Sequence, residues 1–439
     1  MSSAHPETQG LQRRLGPIDA AAIVISNVIG GGIFFVPPIV AQLVPQPTAL
    51  FSVWLAGGAL SLAGAMAYAE LAAMRPHAGG EYVYIRDAYG PLGAFLTGWT
   101  SFVAGFSGAI AASAMALAGY VGHFVPLRPG GTTAVALAWI VGFTLVHVRG
   151  LGPGRFLQNL LALLKVGAIV VLVIAGFAGG HGDASRLAAP GSATAIGWGL
   201  ALVPVMFTYS GWNAAAYVAE EVRDPCRNVP LALALGTVSV VVLYLALNAL
   251  YLYAMPVGDL AVLPVGQLMD TVADRLFGSA GGNLLALFAI ISIAASISAM
   301  VLAGPRVYFA MARDGVFVRT AGHVHPRFRT PATAILAQGA WSVVLVLSGT
   351  PSELVAYTGF AVVLFAGVAV SAVFVLRRRD GDRQRPFSAL GYPWAPAIFV
   401  AASAVMVVNE IWRNPMPALA GIALISAGIP VYFWVRVRR

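Results

Sequence analysis

The sequence predicts an all-α polytopic membrane protein: twelve transmembrane helices, arranged as two inverted units of five and a further pair, with the first and sixth helices discontinuous. Three observations carry that reading. The 439 residues are 59% hydrophobic and only 10% charged, with a mean hydropathy of +0.82, against roughly 25% charged residues in an average soluble domain. Apolar runs of about 20 residues, the length that crosses a bilayer, recur along the chain. The arginines are sided: with the N-terminus in the cytoplasm, Arg128, Arg186, Arg275 and Arg413 fall outside and the other twenty-one inside, the pattern of the positive-inside rule. The net charge of +9 is therefore a topology signal, and no nucleic-acid partner is expected.

Residues 1–16 form a polar cytoplasmic tail with no apolar run ahead of the first span, so a cleaved signal peptide is not expected. The spans are read near 17–43, 48–73, 91–124, 132–148, 156–178, 195–218, 230–254, 283–311, 332–349, 353–376, 394–412 and 416–435, the fourth and ninth being short. They divide into a first five-helix unit, 17–178, a second, 195–376, a basic cytoplasmic loop, 377–393, two additional helices, 394–435, and a cytoplasmic end, 436–439. An odd number of helices per unit forces the second to insert upside down.

The first span contains SNVIGGGIFFVPP, residues 26–38. Glycine costs about 1 kcal/mol relative to alanine within a helix, and Pro37 and Pro38 cannot continue the preceding hydrogen-bond ladder. In lipid such a break is tolerated where it is buried in protein or lines a polar cavity. Taken alone, Gly30 to Gly32 fit close helix packing equally well, the use expected for Gly57 and Gly58. The sixth span is also interrupted, at Ser210-Gly211, between Phe207, Tyr209, Trp212 and Asn213. Paired breaks at corresponding positions of two repeats point to a transporter site. The amides of Gly31, Gly32 and Ile33 would suit a carboxylate. Carbonyls such as that of Val28 and those from Phe207 to Ser210 would suit an ammonium, and an amino acid offers both charges on one carbon.

Lys165 is the only lysine and lies within the fifth span. A charge there costs about 2.5–3.5 kcal/mol on insertion scales and normally faces a bundle interior or wet cavity. Two uses stand side by side: proton coupling, and structural donation to the carbonyls of a broken neighbour. Asp19, Glu70, Glu220, Glu221, Glu353 and Glu410 all fall near span ends, which leaves Lys165 as the candidate for proton coupling.

These residues resemble the amino acid–polyamine–organocation superfamily, and within it amino acid permeases of the L-type transporter kind. The resemblance spans essentially the whole chain through IGGGIF (29–34), YAELAAMRPHAGGEYVYIRDAYG (68–90), the Lys165 helix, FTYSGWNAAAYVAEEVRDPCRNVP (207–230) and GPRVYFAMARDG (304–315). It implies a LeuT-like fold with a central site between spans 1, 3, 6, 8 and 10. Substrate carboxylate would meet the amides of Gly31, Gly32 and Ile33, and the amine the carbonyls of Val28, Phe207 and Ser210. Phe207 would close over the substrate, Trp212, beside the break, would take part in gating with it, and Lys165 stands where some proton-dependent members carry a lysine in place of sodium. The loop after span two would gate the cytoplasmic side through Glu81 and Arg86, an ordinary solvated loop being the alternative. Two departures matter: Gly31 stands where a serine is common, and Asn213 where arginine/agmatine exchangers have a glutamate. With no acid expected in the pocket, a cationic side chain would lack a counter-charge, which favours neutral amino acids.

The expected function is secondary active transport of neutral amino acids by alternating access with proton symport. The alternatives are obligatory exchange and, in a different class, a channel or membrane sensor. No repeated pore motif supports a channel, and no GxxxxGK[ST], HExxH or Ser-His-Asp set supports an enzyme. No cofactor or metal is expected beyond the coupling proton, sodium being second to it. His77 lacks a partner at ligand spacing, and His323 and His325 sit in a basic loop. Cys226 stands alone, so no disulfide forms within the chain. The remaining tryptophans read as interfacial anchors or packing. The expected partners are the substrate and the lipid bilayer; an accessory single-span subunit is compatible but not indicated. Near-exclusive use of arginine over lysine fits a bacterial inner membrane, with both termini cytoplasmic.

Overall fold

The computed structural model describes residues 10–437 apart from 180, 265, 279, 280, 350 and 382, and of 351–358 only the backbone. The side chain of Glu353, and Arg438 and Arg439, lie outside the described residues. The chain is built of α1 (Pro17–Val28), α2 (Gly32–Leu43), α3 (Pro47–Met74), α4 (Glu81–Tyr89), α5 (Pro91–Thr100) and α6 (Phe106–Phe124). There follow α7 (Gly131–Val148), α8 (Leu151–Gly179), α9 (Ala195–Thr208), α10 (Ala214–Tyr217), α11 (Pro225–Ala254) and α12 (Val257–Ala261). The last are α13 (Leu268–Phe277), α14 (Gly281–Arg313), α15 (Ala332–Ser348), α16 (Pro351–Arg379), α17 (Trp394–Arg413) and α18 (Pro415–Val437). Prolines open α1, α3, α5, α11, α16 and α18, where the missing N–H would have had no partner and the fixed φ suits a first turn.

Among the described residues nine helices are long and apolar enough to cross a membrane, and α1 with α2 forms a tenth span bent by 52°. The apolar helices α9 and α15 are shorter, at 14 and 17 residues. The loop expected after the second span instead contains α4, a half-amphipathic helix whose Tyr82, Val83, Tyr84 and Ile85 are buried. Another difference lies in the first span. Pro37 and Pro38 sit inside α2 without ending it, and the break falls at Ile29 to Gly31. The Ile33 carbonyl, which a proline at position 37 leaves without its helical donor, receives the Tyr251 hydroxyl at 3.4 Å.

The most buried span is α14, which packs against α6, α8, α1 and α15. A close scaffold contact joins α3 to α11 and α9: a Cβ on Gly57 would stand 2.5 Å from Val205, and one on Gly58 2.5 Å from Val241. These two glycines serve packing. By contrast α8, α17 and α18 present Leu163, Val171, Ile174, Val405, Val408 and Leu419 outward, the apolar surface expected against lipid. Trp394, Trp412 and Trp434 are exposed near helix ends, whereas Trp54 is fully buried with its ring edge-on to Tyr209 and Tyr244. Among the described residues no group of His, Cys, Asp and Glu could hold a metal ion.

Candidate substrate site at two helix breaks

The α1 break is defined by where its backbone groups go. α1 ends when Ile29 leaves helical geometry, and α2 begins at Gly32. Only Phe34 of the first α2 turn finds a backbone acceptor, the Gly31 carbonyl at 2.9 Å. Among the described residues the amides of Gly31, Gly32 and Ile33 have no protein acceptor, so the positive end of α2 offers free donors. On the α1 side the freed carbonyls are taken up by side chains. Lys165, fully buried, donates to Ser26 O at 3.0 Å, to Ile29 O, and to Ser296 Oγ at 3.0 Å. Ser296 Oγ itself lies 2.9 Å from Ser26 O and 3.0 Å from Ile29 O. The Lys165 nitrogen is thus surrounded by three neutral oxygens and, among the described residues, meets no carboxylate.

The second break joins the first. After α9 the chain turns at Tyr209 and Ser210, then Gly211 takes φ +104°, a conformation that L side chains adopt only under strain. Gly211 is also where the two breaks touch: Asn27 Nδ2 donates to its carbonyl at 3.4 Å, and a Cβ here would lie 3.1 Å from the backbone of Asn27. The Tyr244 hydroxyl of α11 lies 3.0 Å from Val28 O and 3.1 Å from Thr208 O, bridging the two ends.

Between the breaks lies a cavity of about 420 Å³. Val28, Gly31, Gly32, Phe207, Ser210 and Asn213 line it, joined by Asn27, Thr208 and a wall of small residues, Gly105, Ala109, Ala112, Ser113 and Ala116. Phe207 is 46% exposed, and its ring passes over Gly359 of α16, 3.4 Å from where a Cβ would stand. The structure thus brings six of the expected substrate contacts together. Ile33 is the exception, fully buried behind the lining. The carbonyl of Val28 already accepts the Gly30 amide at 2.8 Å and competes with Thr208 O for the single Tyr244 hydroxyl proton, so a substrate ammonium would have to share it with Tyr244.

The expected gating residues divide. Trp212 does not line the cavity: it is buried edge-on against Tyr68 at 4.9 Å and Phe399 at 5.4 Å, because the turn at Gly211 faces Ser210 and Asn213 inward and the intervening residue toward α3 and α17. Arg86 lies outside the cavity too. It donates to Asp314 at 2.7 Å and Asp87 at 3.0 Å, and Tyr82 reaches the same Asp314 oxygen at 2.8 Å. The Asp314 and Asp87 carboxylates, acting against the desolvation of the guanidinium, hold the Arg86 pKa above its ordinary value. Ala78 N on Glu220 at 3.0 Å and Gly79 N on Tyr217 O at 3.1 Å tie the start of α4 to the α10 segment. Deeper, Arg306 and Glu221 form a buried two-pronged pair at 2.7 and 2.8 Å. These contacts seal the arginine-rich end of the cavity.

Glu81 corrects the expectation of an acid-free pocket. It lines the cavity at its sealed end, with Oε2 accepting the Tyr68 hydroxyl at 2.9 Å and Asn213 Nδ2 at 3.2 Å. The sequence reading also missed Tyr244, Ser296 and Asn27. Tyrosine and serine within apolar spans carry no local mark that separates a backbone donor from a packing residue.

One wall has a further irregularity. Between α5 and α6 the span makes a π-turn, Ser101–Gly105, a feature frequent at functional sites. Its loosened carbonyls are held by side chains: Tyr308 donates to Ser101 O at 3.1 Å and Trp341 to Val103 O at 2.9 Å.

Comparison with known proteins places this architecture. The chain is 30% identical over 439 residues to the serine/threonine exchanger SteT of Bacillus subtilis (strain 168), covering 99% of each. It is 28% identical over 442 residues to the human b(0,+)-type amino acid transporter 1, covering 99% of this chain and 90% of that one. To the human large neutral amino acids transporter small subunit 2 it is 28% identical over 440 residues, covering 96% and 80%. The family model described as amino acid permease matches residues 15–434. With its two broken helices around a central cavity, the chain belongs to the amino acid permease family of the amino acid–polyamine–organocation superfamily, a family of LeuT-fold transporters and not of enzymes.

Proposed function

We propose that this amino acid transporter moves small neutral amino acids by alternating access and works as an exchanger. The observation that carries the reading is the cavity itself, with the free amides of Gly31 and Gly32 at one wall and small side chains at another. The amides suit a substrate carboxylate, and the wall from Gly105 to Ala116 suits a short side chain. For the ammonium, the carbonyls near Phe207 to Ser210 are the proposed partners, with Phe207 closing over the bound molecule. Two inverted five-helix units, 17–178 and 195–376, would rock about this site. Exchange is favoured because Lys165 is engaged by oxygens of α1 and α14, which supports a fixed cation holding the break. The similarity to a protein named as a serine/threonine exchanger agrees.

Proton symport is the second reading, and the observation favouring it is the carboxyl of Glu81 in the cavity wall. Sodium has no proposed role. The substrate and the bilayer are the partners required, with both termini cytoplasmic in a bacterial inner membrane as the sided arginines support. The test is uptake of labelled serine or alanine into proteoliposomes that are empty or preloaded, with and without an inward proton gradient. Uptake confined to preloaded vesicles supports exchange; accumulation in empty vesicles that follows the gradient supports symport. Uptake in neither defeats the substrate assignment. The purified chain alone serves in this assay, so the need for an accessory single-span subunit is tested at once.

A further inference from the structure

Glu81 stands at a junction that the exchange reading leaves without a role. It is the first residue of α4, and among the described residues it is the only acid or base lining the cavity. Its carboxyl takes Tyr68 from α3 on one side and Asn213 from the second helix break on the other. Asn213 donates at the same time to the Tyr217 hydroxyl at 3.0 Å. Further along α4, Tyr82 and Arg86 hold Asp314, just past the end of α14. The same short helix therefore touches the cavity with its first residue and closes the arginine-rich face with its second and sixth.

We propose that Glu81 is the proton-sensitive latch of the transporter: as a carboxylate it clamps Asn213 and Tyr68 and keeps the cytoplasmic side shut, and on protonation it releases them. The inference rests on the transport reading and on the orientation read from the arginines. An ionised acceptor binds its donors more strongly than a neutral one, so gaining a proton weakens both contacts. Burial pushes the Glu81 pKa above its ordinary value, partly offset by hydrogen bonds from Tyr68, Tyr217 and Asn213. The groups facing it are Tyr68, Tyr217 and Asn213, all neutral. The cations of neighbouring elements are engaged elsewhere: Arg306 by Glu221, Arg86 by Asp87 and Asp314, Arg313 by Glu220, Arg377 by Glu70, Arg75 by Asp87 and Asp380, and Arg379 by Asp380. Among the described residues none of these forms an ion pair with Glu81.

The sign follows. Above the raised pKa the latch is charged and tight; as pH falls through it, opening and turnover rise. Weakening two charge-assisted bonds to neutral ones is worth roughly thirty-fold in the opening equilibrium. The experiment is serine counterflow in proteoliposomes between acid and neutral pH, for wild type, Glu81→Gln, Glu81→Asp and Lys165→Ala, with equilibrium serine binding to the purified proteins alongside. Glu81→Gln should run at the wild-type acid rate at every pH, while Glu81→Asp keeps a pH dependence. A wild-type profile that persists in Glu81→Gln, or that disappears only in Lys165→Ala, overturns the latch. So does a Glu81→Gln protein that binds serine normally but is slow at every pH. If wild type neither binds nor exchanges serine or any other neutral amino acid, the transport reading fails first, and the two failures are told apart.

Discussion

Replacing Gly211 with alanine probes the meeting point of the two breaks. Two costs follow from the structure. A side chain at φ +104° carries a backbone penalty of about 1–2 kcal/mol. The new Cβ would also stand 2.7 Å from Asn27 Nδ2, which can swing away, and 3.1 Å from the carbonyl carbon and oxygen of Asn27, which cannot without moving α1. Overpacking of that kind costs about 1–3 kcal/mol. Relief comes by separating the breaks, so the combined strain, about 2–5 kcal/mol, should appear as loss of the binding-competent arrangement. That corresponds to roughly 30- to 4000-fold weaker serine binding. Gly130→Ala is the control, because Gly130 also has a positive φ of +79° but nothing within 4 Å of its Cβ position. Equilibrium binding to purified protein, matched for monodispersity, reads both variants. Wild-type affinity in Gly211→Ala, or an equal loss in Gly130→Ala, would refute the claim that contact between the breaks builds the site.

Other perturbations test the supports around it. Glu221→Ala leaves the Arg306 guanidinium, 1% exposed, without its counter-charge and should cost about 3–5 kcal/mol of stability; thermal unfolding reads the loss, and Arg306→Met added to it should restore much of it. Lys165→Met keeps the stem and removes the donors, leaving Ser26 O and Ile29 O to share the single Ser296 hydroxyl proton. One orphaned carbonyl, at about 1–3 kcal/mol, should lower exchange by roughly 5- to 150-fold, and near-wild-type exchange would remove Lys165 from the site's architecture. Asp314→Asn weakens the anchor of Tyr82 and Arg86 and should increase labelling of a cysteine placed at Thr97 by a reagent applied from the cytoplasmic side. Unchanged labelling would mean that α4 is not the door.

Much of the site was legible because backbone chemistry marks it. Three consecutive glycines alone fit close packing equally well, but a matching Ser-Gly interruption in the other repeat points to a site, and both breaks lie where those residues stand. The two prolines misled for an equally physical reason: a missing donor ends a helix only when nothing replaces it, and Tyr251 comes from 218 residues away to do so. Trp212 was judged by its neighbours in sequence, while the left-handed turn before it decides which way it faces. Glu81 was assigned to a loop, and a pocket reading confined to membrane spans cannot include a carboxyl that enters from below. Tyr244 could not be distinguished at all, since its importance lies in two carbonyls on other helices.

The π-turn in the third span couples the pocket wall to two other helices. Thr97, Thr100 and Ser101 face the cavity ahead of it, Gly105 at its end, and Phe106, Ala109, Ala112, Ser113, Ala116 and Tyr120 beyond it. The widened turn therefore lies within the wall, at a level where the backbone's own hydrogen bonding is loosened. What holds it comes from outside the span: Tyr308 of α14 on Ser101 O and Trp341 of α15 on Val103 O. A shift of α14 or α15 would thus be felt as a change in the width of the pocket, with every lining side chain left as it is.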